Sequence, residues 1–199
     1  MSKATERKAK LHADLVDAAE TRIASHGVAS LRARDLANDV GCSLGSIYNV
    51  FDDLHTLILH ANMRTLDRID KVMTDAAGDV EKDPLNGLVG LAWAYFDFAD
   101  SQTRTWRALF DHAFPEDHEL PDWIYQGQVE LLQHIEQPLQ QILPDAQPER
   151  VQLIARTLFS SVHGIVELSL DDRTVGLPKE AVRDQLRLLV CGFLAGYEN

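Results

Sequence analysis

The sequence has few of the features that mark secreted or membrane proteins. Its two cysteines, Cys42 and Cys191, are too few for a disulfide framework, which favours a reducing compartment. No charge-free apolar run approaches the roughly 18 to 20 residues that a membrane span requires. The first eleven residues are polar and lack the apolar core of a signal peptide. We therefore expect a cytoplasmic protein that does not contact a membrane.

The sequence also lacks the alternating pattern of β-strands over more than a few residues, and it has no internal repeat. Apolar residues recur at helical spacing instead, which predicts an all-α fold of about nine helices. Pro138 falls inside the seventh predicted helix and should kink or end it. The predicted helices run over about 5–26, 32–40, 44–50, 54–77, 84–101, 103–112, 122–142, 148–170 and 178–197.

Positive charge is scarce, since the 199 residues carry a formal net charge of −12. Residues 1–64 contain eight Lys/Arg and eight Asp/Glu, whereas residues 65–199 contain eleven and twenty-three. The excess acid therefore lies outside the N-terminal segment. An acidic body would repel phosphate away from a docking face and so favour one orientation on a polyanion. The alternative is the ordinary acidity of many soluble proteins.

The segment from residue 31 to residue 57 has the pattern of a helix-turn-helix. Leu36, Ala37 and Val40 are spaced as one helix face, and Leu44, Ile47, Val50 and Phe51 as a second. Between them, Gly41 suits a helix end in the left-handed conformation. Ser43 can then cap the following helix. In such a motif the second helix enters the major groove of DNA.

This N-terminal block of about fifty residues resembles the TetR family of bacterial transcriptional regulators. The resemblance rests on the apolar face from Leu15 to Ile23, on the end of that helix at His26-Gly27, and on the segment from Ser43 to Phe51. It implies a DNA-binding domain over residues 1–52 and a helical ligand-binding and dimerisation domain over residues 53–199. One position departs from the family pattern. Leu54 stands where the family usually has Lys, which removes an expected phosphate contact.

The recognition segment offers small, uncharged side chains to DNA. Asn49 can form two hydrogen bonds with adenine, and Leu44 can contact a thymine methyl group. The hydroxyl groups of Tyr48, Ser43 and Ser46 suit phosphate contacts. The alternative is that Tyr48 packs on the domain and the nearby arginines are solvated. The candidate DNA-binding residues are Arg32, Arg34, Ser43, Leu44, Gly45, Ser46, Tyr48, Asn49 and His55.

The resemblance implies a homodimer, in which the last two helices pair with their mates in a four-helix bundle. Gly192 and Gly196 would permit close approach of the backbones, although these helices could equally form the body's own core. It also implies a small-molecule pocket that accepts a mostly apolar effector. The candidate pocket residues, which could instead be core, are Trp93, Phe96, Trp106, Phe110, Phe114, Trp123, His134 and His163.

Two patterns typical of enzymes and metal proteins have weak support. Residues 41–45 fit Gly-x-Ser-x-Gly, but that motif requires a preceding strand, whereas the residues before Ser43 have helical spacing. His112 and His118 match no rigid metal-ligand spacing. We therefore expect no catalysis, no metal and no cofactor. The sequence predicts a ligand-responsive regulator, most simply a repressor that an effector releases from a palindromic operator. The alternative is a helical protein-interaction module that has lost sequence-specific DNA binding.

Overall fold

The computed structural model describes residues 2–78, 82–111, 121–171, 173 and 175–197. Over these ranges the regular structure is helical, which confirms the all-α prediction. A single 3-10 turn at Val28–Ser30 was not predicted. The α-helices are α1 Lys3–His26, α2 Ala33–Val40, α3 Leu44–Tyr48, α4 Leu54–Ala77, α5 Pro84–Ser101, α6 Thr103–Asp111, α7 Asp122–Ile142, α8 Pro148–Ser169 and α9 Lys179–Ala195.

The helix ends mostly follow signals that are visible in the sequence. Helices α5 and α7 have the predicted bounds, and Asp53 caps α4 by accepting a hydrogen bond from the Thr56 N–H at 2.7 Å. Pro138 does not end α7, which continues to Ile142. The residues on either side of it, Ile135 and Leu139, are buried, and their packing outweighs the one backbone hydrogen bond that proline cannot make.

The turn between α2 and α3 has the predicted geometry. Gly41 adopts the left-handed conformation, with φ 71° and ψ 38°. The N–H of Cys42 donates to the carbonyl of Ala37 at 2.9 Å, so the end of α2 is satisfied within the turn. Ser43 then begins α3, because its Oγ accepts a hydrogen bond from the Ser46 N–H at 3.1 Å. These contacts fix the direction in which α3 leaves α2.

The helices pack as two compact units. Unit 1 comprises Met1–Asp67 with Gln102–Ile124, and unit 2 comprises Arg68–Ser101 with Tyr125–Asn199. Helix α6 and the first half of α4 therefore pack with α1, α2 and α3. The sequence analysis placed one domain boundary after residue 52. The two packing units instead divide α4 after Asp67 and separate α5 from α6, which follows it in the chain. The division by function, into DNA-binding and ligand-binding domains, stays a prediction.

Unit 1 has an apolar core, and hydrogen bonds and ion pairs connect its helices around that core. Asn62 on α4 donates to the carbonyl of Ala108 on α6 at 3.0 Å, and Arg104 donates to the carbonyl of Ser25 at 2.7 Å. Ion pairs connect Arg22 with Asp39 and with Asp35, and Arg64 with Asp17 and Glu20. The core residues are Leu15, Val16, Ala19, Ile23, Val28, Leu31, Leu36, Ala37, Ile47, Phe51, Leu57, Ile58, Ala61 and Ala108.

Unit 2 is built around α5, which packs against α8 and α9. Its apolar surface is buried nearly all round, as the sequence predicted for a helix without a polar face. Trp93 on α5 donates its Nε1–H to the carbonyl of Arg183 on α9 at 2.9 Å. Lys179 and Arg183 on α9 form ion pairs with Asp100 and Asp97 on α5. In the described parts of the chain, no helix combines the length and apolar character needed to cross a membrane.

Replacement of Gly41 by alanine should destabilise the protein by about 1–2 kcal/mol, because a Cβ makes the left-handed conformation costly. A Cβ at this position would meet no other atom within 4 Å, so the cost comes from the backbone and not from a clash. The urea midpoint of unfolding measures the effect. Gly41→Asn is the matched control and should lose less, because asparagine tolerates this conformation. An unchanged midpoint for Gly41→Ala would contradict the strained turn.

Candidate functional site

Helix α3 buries one side and exposes the other. Ile47 is fully buried in the core of unit 1, whereas Leu44 is 39% exposed and Tyr48 is 50% exposed. Gly45 and Asn49 are exposed beside them, on the same arc of the helix. The outer side of α3 is therefore available to contact another molecule.

The start of α3 is organised by two serines. The hydroxyl groups of Ser43 and Ser46 lie 2.7 Å apart and share a hydrogen bond, in addition to the cap that Ser43 provides. Ser43 is exposed and Ser46 is partly exposed. Only one of the two O–H groups is used in the shared bond, so the other can donate to a phosphate oxygen or to an acceptor on a base edge.

The predicted basic and aromatic neighbours of α3 differ in their surroundings. Arg32 donates to the carbonyl oxygens of Ala29 and Leu31 at 2.9 and 2.8 Å, so its guanidinium is already engaged with its own loop. Arg34 on α2 is exposed. His55 and Leu54, in the first turn of α4, are half-buried, and Leu54 packs against the core of unit 1. At position 54 the chain therefore has an apolar residue that packs in the core and no cation.

Ser43 lacks the surroundings of a hydrolase nucleophile. The Gly-x-Ser-x-Gly elbow needs a strand before the serine, whereas here helix α2 and the left-handed turn at Gly41 precede it. Its hydroxyl caps α3 instead.

No group of three or more His, Cys, Asp or Glu that could hold a metal ion occurs among the described residues. His112 and His118, which the sequence analysis weighed as metal ligands, lie outside the described residues.

Unit 2 contains an apolar cavity of about 20 Å³, which is roughly the space of one water molecule. Its walls come from α4, α5, α7, α8 and α9, and Tyr95 supplies its hydroxyl group as the polar feature. The lining residues are Met73, Leu88, Leu91, Ala92, Tyr95, Ile135, Leu158, Phe159, Val162 and Val190.

A tyrosine–histidine pair borders this cavity. The Tyr95 hydroxyl and His163 Nδ1 lie 2.9 Å apart and share a hydrogen bond. The ring of Phe159 contacts both, with centroid distances of 5.6 Å to Tyr95 and 5.7 Å to His163. Burial lowers the pKa of His163, and the nearby carboxylate of Glu167 partly opposes that shift. The imidazole is therefore neutral near pH 7. The Tyr95 hydroxyl and the His163 ring can then form hydrogen bonds with a neutral polar group.

The residues predicted to line a pocket are divided between the two units. Those in unit 1 are Trp106, Phe110 and Trp123, and those in unit 2 are Trp93, Phe96, His134 and His163. Phe114 lies outside the described residues. None of the seven described residues lines the cavity of unit 2, although His163 is bonded to Tyr95, which does. Their ligand-binding role stays a prediction.

Most of these residues have structural partners of their own. Trp106 is fully buried, and the ring of Trp123 stacks on His60 with centroids 4.8 Å apart. Phe96 is buried in unit 2. His134 on α7 bonds to Asp70 on α4 at 2.7 Å. Sequence reasoning selected them as aromatic and polar groups, whereas the cavity is lined mainly by aliphatic residues, which a sequence pattern does not separate from core.

One face of α8 is exposed and carries small or apolar residues at helical spacing. Leu153 and Leu168 are exposed on it, and between them Gly164 has open space where a Cβ would be. The hydroxyl groups of Ser160 and Ser161 donate to carbonyls of their own helix at 2.8 and 2.9 Å. This face therefore presents few unsatisfied polar groups.

Helix α9 has a similar face. Leu188 is 64% exposed, Gly192 is exposed with open space at its Cβ position, and Ala195 follows one turn later. A glycine inside a helix costs about 1 kcal/mol relative to alanine. No packing contact of the described residues explains that cost at Gly192.

Comparison with known proteins agrees with this architecture. The family model of a tetracyclin repressor-like C-terminal domain matches residues 88–193. No curated protein sequence matches the chain.

Solved structures share the fold at low sequence identity. A TetR-family transcriptional regulator from Streptomyces coelicolor is 18% identical with a TM-score of 0.70, over 95% of this chain and 83% of that chain. BioQ, solved with its natural double-stranded DNA operator, is 20% identical with a TM-score of 0.64, over 92% and 98% of the two chains. RolR, solved with resorcinol, is 15% identical with a TM-score of 0.64, over 96% and 89%.

The family match covers more than half of the 199 residues, and the structural likeness extends over nearly the whole chain. Together with the helix-turn-helix at Gly41, these findings show that the chain belongs to the TetR family of transcriptional regulators.

Proposed function

We propose that the protein is a homodimeric repressor that binds a palindromic operator and is released by a small, largely apolar effector. The observation that carries this proposal is the arrangement of α3. Its buried side holds Ile47 in the core, and its outer side presents Leu44, Tyr48 and Asn49 to solvent. A rigidly seated helix with an exposed tip is what insertion into a major groove requires.

The exposed groups suit sequence-specific contacts. Asn49 lies at the end of α3, where its side-chain NH2 can donate to adenine N7 while its side-chain oxygen accepts from the adenine N6 amino group. Leu44 can contact a thymine methyl group. The hydroxyl groups of Tyr48, Ser43 and Ser46 suit phosphates, which fix the position of the helix without specifying sequence. BioQ, which shares the fold, is solved with its operator.

A dimer follows from the small size of one such contact. Two recognition helices spaced by about 34–36 Å can contact successive major grooves on one face of DNA. The exposed faces of α8 and α9 supply a surface for the second copy. The open space at Gly164 and Gly192 would let the backbones of two copies approach closely. The operator would then be palindromic, because it reflects the two-fold symmetry of the protein.

The effector would bind in unit 2, at the cavity beside Tyr95. At about 20 Å³ the cavity must expand to admit an organic molecule, and Met73 is the wall residue whose unbranched side chain adapts most readily. Met73 belongs to α4, whose first half packs in unit 1. A ligand that moves Met73 therefore acts on the helix that continues into the DNA-binding unit.

The effector's chemistry is suggested by the same walls. They favour an apolar molecule with one or two hydrogen-bonding groups facing Tyr95 and His163. RolR, which shares the fold, is solved with resorcinol. Release of DNA requires that the effector bind the non-binding conformation more tightly than the binding one.

Selection of bound duplexes from a random pool tests this function, and Asn49→Ala tests the role of α3. We expect a palindromic sequence to be enriched, and Asn49→Ala to weaken its binding by at least about 30-fold, since each two-bond base contact contributes about 1–3 kcal/mol and the dimer makes two of them. Asn86→Ala, in unit 2, is the matched control and should bind as the parent does. Failure of the parent to enrich any sequence would favour the alternative of an interaction module.

The dimer is tested by Gly192→Glu, measured as molar mass by light scattering. The new side chain meets no atom of its own chain within 4 Å of the Cβ, so each copy should keep its fold and its helical circular dichroism. A buried, unpaired carboxylate should nevertheless split the dimer into monomers. Gln133→Glu, on an exposed position of α7, adds the same charge and should remain dimeric. A dimeric Gly192→Glu variant would exclude this face as the interface.

A further inference from the structure

The first helix extends beyond the core of unit 1. Residues 3–10 are all exposed, and Leu11 and His12 are the first to be partly buried. At 1.5 Å per residue, this basic overhang (residues 3–10) is about 12 Å long. Ser2 caps it by accepting a hydrogen bond from the Thr5 N–H at 3.3 Å, so it is an ordered helical extension.

Four of the eight Lys and Arg residues in residues 1–64 bond to other groups of the protein. Arg22 and Arg64 form ion pairs with carboxylates of unit 1, and Arg32 donates to its own loop. Lys10, at the inner end of the overhang, pairs with Asp14 at 2.7 Å.

The other four Lys and Arg residues in residues 1–64 lie at the protein surface. Within the described part of the chain, no carboxylate forms an ion pair with any of them, and all four are exposed. They are Lys3, Arg7, Lys8 and Arg34. Three of the four therefore lie in the basic overhang.

The inner end of the overhang, near residue 10, lies close to the segment that follows α3. The ring of His12 on α1 lies against Phe51, which follows α3 closely in the chain, with centroids 4.5 Å apart. Lys8 precedes His12 by four residues and so shares its helix face. The overhang therefore begins one turn of helix away from a residue that contacts Phe51, which is two positions beyond Asn49 in the chain.

The recognition segment has no cation of its own. Residues 41–53 contain no Lys or Arg and two aspartates, and Leu54 follows them. Cations supply essentially all of the non-specific affinity of a protein for DNA, so that contribution would have to come from residues outside the recognition segment.

We infer that the basic overhang is a phosphate-binding arm, in which Lys3, Arg7 and Lys8 contact the DNA backbone that flanks the half-site of α3. This inference rests on the proposed binding of DNA. The arm contributes affinity and salt dependence but no base specificity, because phosphates are the same in every sequence. Arg34, on α2, provides a further cation on the same unit.

The test compares the parent with the triple variant Lys3→Gln, Arg7→Gln, Lys8→Gln on the duplex that the parent selects. Each lost phosphate contact reduces the slope of log affinity against log salt by about 0.9. A dimer has two overhangs, so the slope should fall by about 2 if one residue in each makes contact, and by about 5 if all three do. Affinity for non-selected duplexes should fall by a similar factor, and the preferred sequence should not change.

A single-charge comparison covers the case in which the triple variant binds too weakly for a slope. Lys8→Gln should reduce the slope by about 2, whereas Lys71→Gln, an exposed position of α4 in unit 2, should leave it unchanged. Equal slopes for these two variants and the parent would overturn the arm but leave the proposed function intact. If the parent binds no duplex at any salt concentration, the proposed function is wrong and the arm is excluded with it.

Discussion

The left-handed turn at Gly41 is the constraint on which the rest of the site depends. It ends α2 after Val40, and the cap from Ser43 starts α3 three residues later. Because Ile47 is buried on one side of a helix of only five residues, the opposite side has to face outward. The orientation of Leu44, Tyr48 and Asn49 is therefore a consequence of one backbone conformation and one buried side chain.

Several arginines of unit 1 bond to other groups of the same unit. Arginines on α1, α4 and α6 join the helices by ion pairs and by hydrogen bonds to carbonyl groups, so they stabilise the position of α3 without contacting a partner. Leu54 adds apolar packing where the family usually has Lys. Cations for a polyanion are thus left to the exposed turns of α1 and to Arg34 on α2. The net zero charge of the N-terminal segment is compatible with DNA binding, because its acidic and basic side chains are not all paired with each other.

The helices and the recognition turn could be predicted from the sequence, whereas the cavity could not. Local signals, such as the glycine at the end of α2 and the serine and aspartate caps, act within a few residues and are legible in the chain. Trp93 and Trp106 are close in sequence but belong to different packing units, which nearness along the chain does not reveal. The cavity walls, such as Leu158 and Val190, are indistinguishable from core until the helices are placed.

The most direct test of the account is photocrosslinking from the exposed side of α3. A benzoylphenylalanine replaces Tyr48, which is 50% exposed, and in a second protein it replaces Tyr125, which is 61% exposed and lies in unit 2. Each is irradiated with a duplex that the parent protein has selected. We predict crosslinks to bases or sugars of the half-site from position 48 and none from position 125. Binding of the duplex with no crosslink from position 48, or with crosslinks from position 125 alone, would contradict the claim that α3 contacts DNA.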